Sequence, residues 1–339
     1  MSALPLLATA EIRTLEERAA AGLQGPTLMQ RAGRATAEAA RAMAADTGAP
    51  VLVVAGPGNN GGDAWVAAEH LREGFHRVTV LDVSGATPKA PEARHARERF
   101  VAAGGATVRE WPAAQRPALV IDGLLGIGLA RDLEGDMARI VQAMNGCGAP
   151  VLSIDIPSGI ASDTGAVRGV AVRATKTITF IARKVGLYTG DALDHTGEIV
   201  VDGLGLDPAL LDGWPGSLLA PEAMRGLLPP RPRNTHKGSF GTLGIVGGGK
   251  GMVGAAILAA RAGLLAGAGK VYVGLLSPEA PAFDPAFPEL MLRTVDDTIA
   301  ADVLVAGPGA GHSPSETSLS AFERHTLPAL LSLPKPLVI

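Results

Sequence analysis

The sequence predicts an α/β fold built on parallel sheets, and three observations predict it. Short apolar runs rich in β-branched residues alternate with stretches of helical length, the pattern of a parallel sheet covered on both faces. Glycines number 44 among 339 residues and cluster directly after those runs, at 56–62, 123–128, 247–254 and 307–311. Apolar residues make up 47% and charged residues 19%, so the chain can bury a core.

The first 46 residues read as helix. Thr9 is a candidate N-cap, and Ile12, Leu15 and Ala19 recur at helical spacing. Gly25-Pro26-Thr27 breaks the pattern, and an Ala-rich helix follows to about Ala45. Strands are then predicted at Val51–Ala55, Val78–Val83, Leu119–Asp122, Val151–Ile156 and Thr177–Ile181. Helices are predicted near Ala64–Gly74, Glu92–Ala103 and Leu133–Asn145. The Pro-rich, basic run from Leu227 to Arg233 reads as a linker. Beyond it a second α/β pattern begins, with strands at Thr242–Val246, Lys270–Leu275 and Asp302–Ala306, a small-residue helix at Gly254–Ala266, and one more strand at Leu337–Ile339. The boundaries expected are 1–215 and 216–339.

Charge and cysteine usage remove several classes. With 30 basic and 33 acidic residues, a net charge of −3 and no block of one sign, the footprint of a nucleic-acid binder is missing. The single cysteine, Cys147, excludes an internal disulfide framework and fits a cytoplasmic address. Met1–Glu17 does not read as a signal peptide, and no apolar run is long enough to span a membrane. The seven histidines show no H-E-x-x-H spacing, and no G-x-S-x-G occurs.

Three strand ends carry candidate chemistry. Gly56, Gly58 and Gly61 match G-x-G-x-x-G, with Asp82 about 20 residues on, as a dinucleotide fingerprint requires. That pattern supports an NAD-dependent oxidoreductase; a turn whose glycines only permit tight packing is the plain alternative. Asn59, Asn60 and Asp63 argue against a pyrophosphate cradle, because they offer side-chain oxygens on a turn where only backbone N–H groups are wanted. The second candidate is DGLLGIGL, 122–129, where Asp122 is a ligand or a cap. The third is SIDIPSG, 153–159, where a carboxylate inside an apolar run is a candidate base, or a structural group bonded to its own turn. If these strand ends share one sheet edge, Asn60, Asp122, Asp155 and Ser158 converge as an oxygen set suited to a hard cation.

The series GPGNNGGDA, DGLLGIGL, SIDIPSG and ATKTITF, in this order and spacing, resembles the NAD(P)H-hydrate epimerase family, from the N-terminal helix to about Gly205. The resemblance implies a Rossmann-like parallel-sheet domain that interconverts the C6 epimers of hydrated NADH and NADPH. It implies that Asn59, Asn60, Gly61, Gly62 and Asp63 line the substrate site, together with Gly126, Ile127, Gly128, Leu129, Ala130, Arg131 and Asp132. It implies Asp155 as the catalytic carboxylate, a potassium ion near Asn60, Asp122 and Ser158, and a homo-oligomer built through the N-terminal helices. One departure stands out: Ala64 replaces the glycine usual after NNGGD, a harmless change unless positive φ is needed there. A noncatalytic scaffold of the same fold remains a third class.

The second half is similar to ADP-dependent NAD(P)H-hydrate dehydratases, a ribokinase-like family often fused behind the epimerase. HKGSFGTLGIVGGGKG (236–251), PELM (288–291) and ADVLVAGPGAG (301–311) carry the similarity. A P-loop reading of Gly244–Gly251 fails, because Gly251 stands where Ser or Thr would hold magnesium. The resemblance implies ADP or ATP with magnesium, and it places Ala256, Gly309 and Gly311 near the hydrated nicotinamide. The family's Gly-Thr-Gly-Asp segment does not occur here. The ribokinase-like part is therefore expected to be partial.

Overall fold

The computed structural model describes residues 4–83, 88, 90–219, 230–311 and 322–339. The chain divides into two compact units, Met1–Leu228 and Pro229–Ile339. Residues 227–229 of the expected linker lie outside the described residues. Among the described residues no helix is long and apolar enough to cross a membrane.

The first unit is built on a seven-stranded, all-parallel sheet. Its strands are β2 (Pro50–Ala55), β3 (Arg77–Asp82), β4 (Ala106–Val108), β5 (Leu119–Gly123), β6 (Val151–Ile154), β7 (Lys176–Phe180) and β9 (Glu198–Asp202). Their spatial order is β4-β3-β2-β5-β6-β7-β9. The chain runs outward one way from β2, then returns and runs outward the other way from β5. The β2/β5 boundary is thus a topological switch point, and the carboxyl ends of these strands form the natural crevice.

Alternation along β2 explains the two layers of core. Val51 and Val53 pack on one face with Trp65 and Phe100, whereas Leu52 and Val54 face Val120, Val141 and Met144. The first layer belongs to α2 (Leu28–Met43), α3 (Asn59–Glu73) and α4 (Pro91–Ala102), the second to α5 (Gly135–Gly146). Trp65 and Phe100 are fully buried with ring centroids 5.5 Å apart, and each contributes about 1.5–3 kcal/mol by burial. Thr27 caps α2, its hydroxyl accepting from Gln30 N, just after the Gly25-Pro26 break.

The N-terminus differs from the helix expected there. Leu4–Leu7 is a strand, β1, set between β8 (Arg183–Lys184) and β10 (Ser217–Leu218) in a small separate sheet. Helix α1 (Thr9–Gly22) follows with Ala8 at its N-cap, and Thr9 instead bonds Asp163 Oδ1 through both its N–H (2.6 Å) and its hydroxyl (2.8 Å). Four apolar residues leave no helical period to read, and their partners lie far along the chain.

The second unit holds a five-stranded parallel sheet of order β13-β12-β11-β14-β15. These are Met291–Arg293, Lys270–Leu275, Thr242–Gly247, Val303–Ala306 and Leu337–Val338 respectively. Helix α6 (Val253–Leu265) packs Ala256 and Ala260 against Ile245, Val271 and Val273.

Candidate active site at the strand ends of the first unit

The Asn-Gly turn after β2 is tighter and more buried than an exposed loop. Gly58 is the N-cap of α3, so Asn59 to Asp63 form the first helical residues, with Asn60, Gly61 and Gly62 buried. A Cβ on Gly56 would stand 1.7 Å from Leu124 O, and one on Gly61 would stand 1.9 Å from Gly56 O. These two glycines are required by backbone packing, which answers the G-x-G-x-x-G pattern without a pyrophosphate. Asp82 is buried, with Arg97 Nε donating to its Oδ2 at 2.9 Å. Ala64 has no positive φ; its methyl group fills the space beside Gly123.

Asp122, near the end of β5, is a fully buried hub. Its Oδ1 accepts from Ser158 Oγ–H (2.6 Å) and Leu124 N–H (3.2 Å); its Oδ2 accepts from Ser153 Oγ–H (2.8 Å) and Ser158 N–H (2.9 Å). Burial raises this carboxyl above its ordinary range, outweighing the four donors that act to lower it. The hub ties the β5 loop to the β6 loop. Leu125 N–H also donates to Ser158 Oγ (2.9 Å), and Asn60 Nδ2 donates to Leu125 O (2.9 Å). Leu125 backbone thus links Asn60 to the Asp122–Ser158 pair.

Asn60 Oδ1 is buried and has no hydrogen-bond partner. Gly126 lies directly against this side chain; a Cβ there would stand 3.3 Å from Asn60 Cγ. An orphaned, buried amide oxygen on a side chain linked through Leu125 to a carboxylate and a hydroxyl fits a hard cation with oxygen ligands.

Asp155 does not lie inside the strand as expected. Strand β6 ends at Ile154, and Asp155 turns out of it with φ +67°. Left-handed backbone is costly for most side chains and is tolerated best by Asn and Asp. Its N–H is held by Ile178 O (2.7 Å), and its side chain is 15% exposed. Lys184 Nζ donates to Asp155 Oδ1 at 2.5 Å. Asp63 and Glu16 of α1 lie close enough to feel the Asp155 charge. Burial first, then that neighbouring carboxylate, holds Asp63 well above the usual carboxylate range and raises Glu16 too.

The stretch 126–132 is an irregular loop after β5, with Gly128, Ala130, Arg131 and Asp132 exposed. Ile127 tucks against Leu7 and Ile12, beneath α1. Asp132 stands 3.8 Å from Arg168.

Sequence reasoning missed Lys184, Thr179 and Glu16. The one signal for Lys184 was a lysine directly behind an apolar strand run; Glu16 carried none, because its approach depends on how β1 and α1 dock.

In the second unit, the glycine turns after β11 and β14 meet each other. Gly248 N–H donates to Pro308 O (2.8 Å), and Gly249 N–H to Gly309 O (2.7 Å). These two amides are occupied by the neighbouring turn. Ala256 is fully buried in the core, Gly309 packs against Met252 and Ala255, and Gly311 is open.

The fold and the strand-end cluster define the class: a doubly wound α/β unit with a carboxylate–amide site, followed by a second parallel α/β unit. Residues 25–186 match the family described as YjeF-related protein N-terminus, and 243–333 match NAD(P)H-hydrate dehydratase. The chain is 39% identical over 309 residues to the bifunctional NAD(P)H-hydrate repair enzyme Nnr of Escherichia coli, covering 87% of this chain and 59% of that protein. It is 37% identical over 325 residues to the enzyme of the same name from Coxiella burnetii, covering 91% and 65%. A crystal structure of yeast ynu0 superposes with a TM-score of 0.53 at 18% identity, over 64% of this chain and 96% of that one, which shows the shared fold. The chain is a homologue of the bifunctional NAD(P)H-hydrate repair enzymes and carries both of their domain types. It spans 59% and 65% of the length of the two bacterial relatives.

Proposed function

We propose that residues 1–215 form an epimerase domain acting on C6 of hydrated NADH and NADPH, with Asp155 as the proton-transferring group. The observation that carries this reading is Asp155 itself. It stands on left-handed backbone at the strand-end crevice, partly exposed and paired with a buried lysine, among the residues that the family resemblance assigned to substrate.

The chemistry suits a carboxylate. In the hydrated ring, C6 bears a hydroxyl and the ring nitrogen N1. Asp155 takes the hydroxyl proton, the C6–O bond becomes a carbonyl, and the C6–N1 electron pair moves onto N1, where the conjugated carboxamide delocalises it. The aldehyde turns over, N1 adds to its other face, and the proton returns to oxygen. Atoms and charge balance, and one base serves both directions.

Asn60, Asp122 and Ser158 would hold the potassium ion, whose positive charge would offset substrate phosphate. Asn60 would supply the open oxygen, Asp122 the negative charge and Ser158 a neutral hydroxyl oxygen. Asn59 to Asp63 and the 126–132 loop would flank the substrate. A homo-oligomer through the N-terminal helices belongs to the same reading.

For the second unit, dehydration driven by ADP or ATP with magnesium is the activity its family relationship suggests.

The test is direct. Purified protein is incubated with the R epimer of hydrated NADPH, and the S epimer is followed by chromatography. Asp155→Asn keeps a residue that accepts positive φ, so the fold persists while turnover drops about 10²–10⁴-fold. Wild-type turnover in that variant would overturn the assignment.

A further inference from the structure

We infer that Lys184 is the positioning residue of this site: it clamps one oxygen of Asp155 and leaves the other to the substrate. The inference rests on the epimerase reading above.

Three observations carry it. Lys184 is 1% exposed, on the two-residue strand β8. Its ammonium has three N–H groups, and each has an acceptor: Asp155 Oδ1 (2.5 Å), Thr179 Oγ1 (2.7 Å) and Phe180 O (2.9 Å). A donor so occupied and so buried reaches no ligand, so its effect passes through Asp155.

Among the described residues, the side-chain contacts on Asp155 are one-sided. Lys184 and Thr179, the latter at 3.4 Å, both engage Oδ1. Oδ2 is the oxygen left for a ligand proton, on a side chain that retains 15% exposure. The clamp fixes the carboxylate about its terminal torsion, which is otherwise broad.

The charges around the cluster call for a cation. Asp63 on α3 and Glu16 on α1 both feel the Asp155 charge, with smaller influences from Glu92 on Asp63 and Glu17 on Glu16. Lys184 favours the ionised form of both Asp63 and Glu16, and Arg13 assists at Glu16.

The arrangement also explains the small sheet. Strand β1 pairs with β8 at Leu6↔Arg183 and Leu7↔Lys184. That pairing covers the lysine and brings α1, with Glu16, against the same site.

The full chain carries the test, with the hydrated-NADPH epimerisation assay as readout. Lys184→Met is expected to lower kcat about 10²-fold, the cost of misplacing a catalytic group by about 1 Å, with KM within about threefold. Thr179→Val, a gentler change, is expected to lower kcat about tenfold with KM likewise held. In the Asp155→Asn background, Lys184→Met is expected to change nothing further, because the clamped group is gone. A purely structural lysine would instead reduce the residual activity again by a similar factor.

Lys184→Met turnover within threefold of wild type overturns the inference, as does a rise in KM that accounts for the loss. If Lys184→Met does not fold, Thr179→Val decides: unchanged kcat overturns it. If the wild-type protein does not interconvert the epimers, the epimerase reading fails; if Asp155→Asn turns over normally, Asp155 is not the base and the positioning role falls with it; if Asp155→Asn is inactive while Lys184→Met is active, the positioning role alone fails.

Discussion

The two units solve the same topological problem with opposite chemistry. Each is a doubly wound parallel sheet with glycine turns at its switch point, β2/β5 in the first and β11/β14 in the second. In the first, the turns frame side chains: Asp122 gathers four donors, Asn60 keeps an oxygen free, and Asp155 stands on strained backbone beside Lys184. In the second, the turns bond to each other through Gly248 and Gly249, and the side chains packed against them, Ala255, Ala256 and Leu275 among them, are apolar. Glycine-rich strand ends therefore do not by themselves identify a site. What distinguishes the first unit is a set of buried polar groups held by the turns, one of them unsatisfied.

The largest effects should come from the packing glycines and should separate the units. Gly56→Ala drives a methyl group into Leu124 O, and Gly247→Ala drives one to 2.2 Å from Pro308 O. Each should cost more than about 3 kcal/mol, because the obstruction is backbone. Gly56→Ala is expected to abolish epimerisation, whereas Gly247→Ala should leave it within about twofold. Thermal melts and the epimer assay together check this; loss of epimerisation in Gly247→Ala would break the comparison.

A smaller effect concerns charge, which the first site buries. A carboxyl raised by folding binds its proton more tightly in the native state than in the unfolded chain. Its contribution is thus most favourable in acid and declines as the pH rises from the ordinary 3.8 through the raised native value. Asp63 is raised well above that value, so Asp63→Asn should raise Tm at pH 8 and leave it unchanged at pH 4. Calorimetric scans at the two pH values test it; an equal shift at both would mean that the carboxyl is not the cause.

The smallest effect is the ion. Potassium at 100 times its Kd would stabilise the first unit by about 2.7 kcal/mol, and lower occupancy by less. Asn60→Ala should remove the stabilisation by potassium relative to choline while leaving the fold intact. A potassium-dependent Tm that persists in Asn60→Ala would take that oxygen out of the ion site.

Much of this was legible along the chain because it is local. Strands β2, β5 and β6 announced themselves as apolar runs, and the glycines after them marked the turns. Even Asp155 stood out as a carboxylate between two isoleucines. The failures share a cause. Strand β1 has four residues and no period, and β8 has two; they exist because each pairs with chain more than 170 residues away. Lys184 and Glu16 reach Asp155 only through that pairing. The glycine run at 247–251 was readable as a turn, but that its amides would be taken by Pro308 and Gly309 depended on the β11/β14 neighbourhood.

By itself, the sequence determined the alternation of buried strands and helices, the places where backbone must turn tightly, and the oxygen-bearing residues at those turns. These follow from side-chain period and steric size, which act over a few residues. Tertiary structure alone decided that Asp155 leaves its strand in a left-handed conformation, that a buried lysine grips one of its oxygens, and that Asn60 is left with an oxygen unpaired. Each of those outcomes depends on which distant groups share a low-dielectric space, and only the closed fold sets those distances.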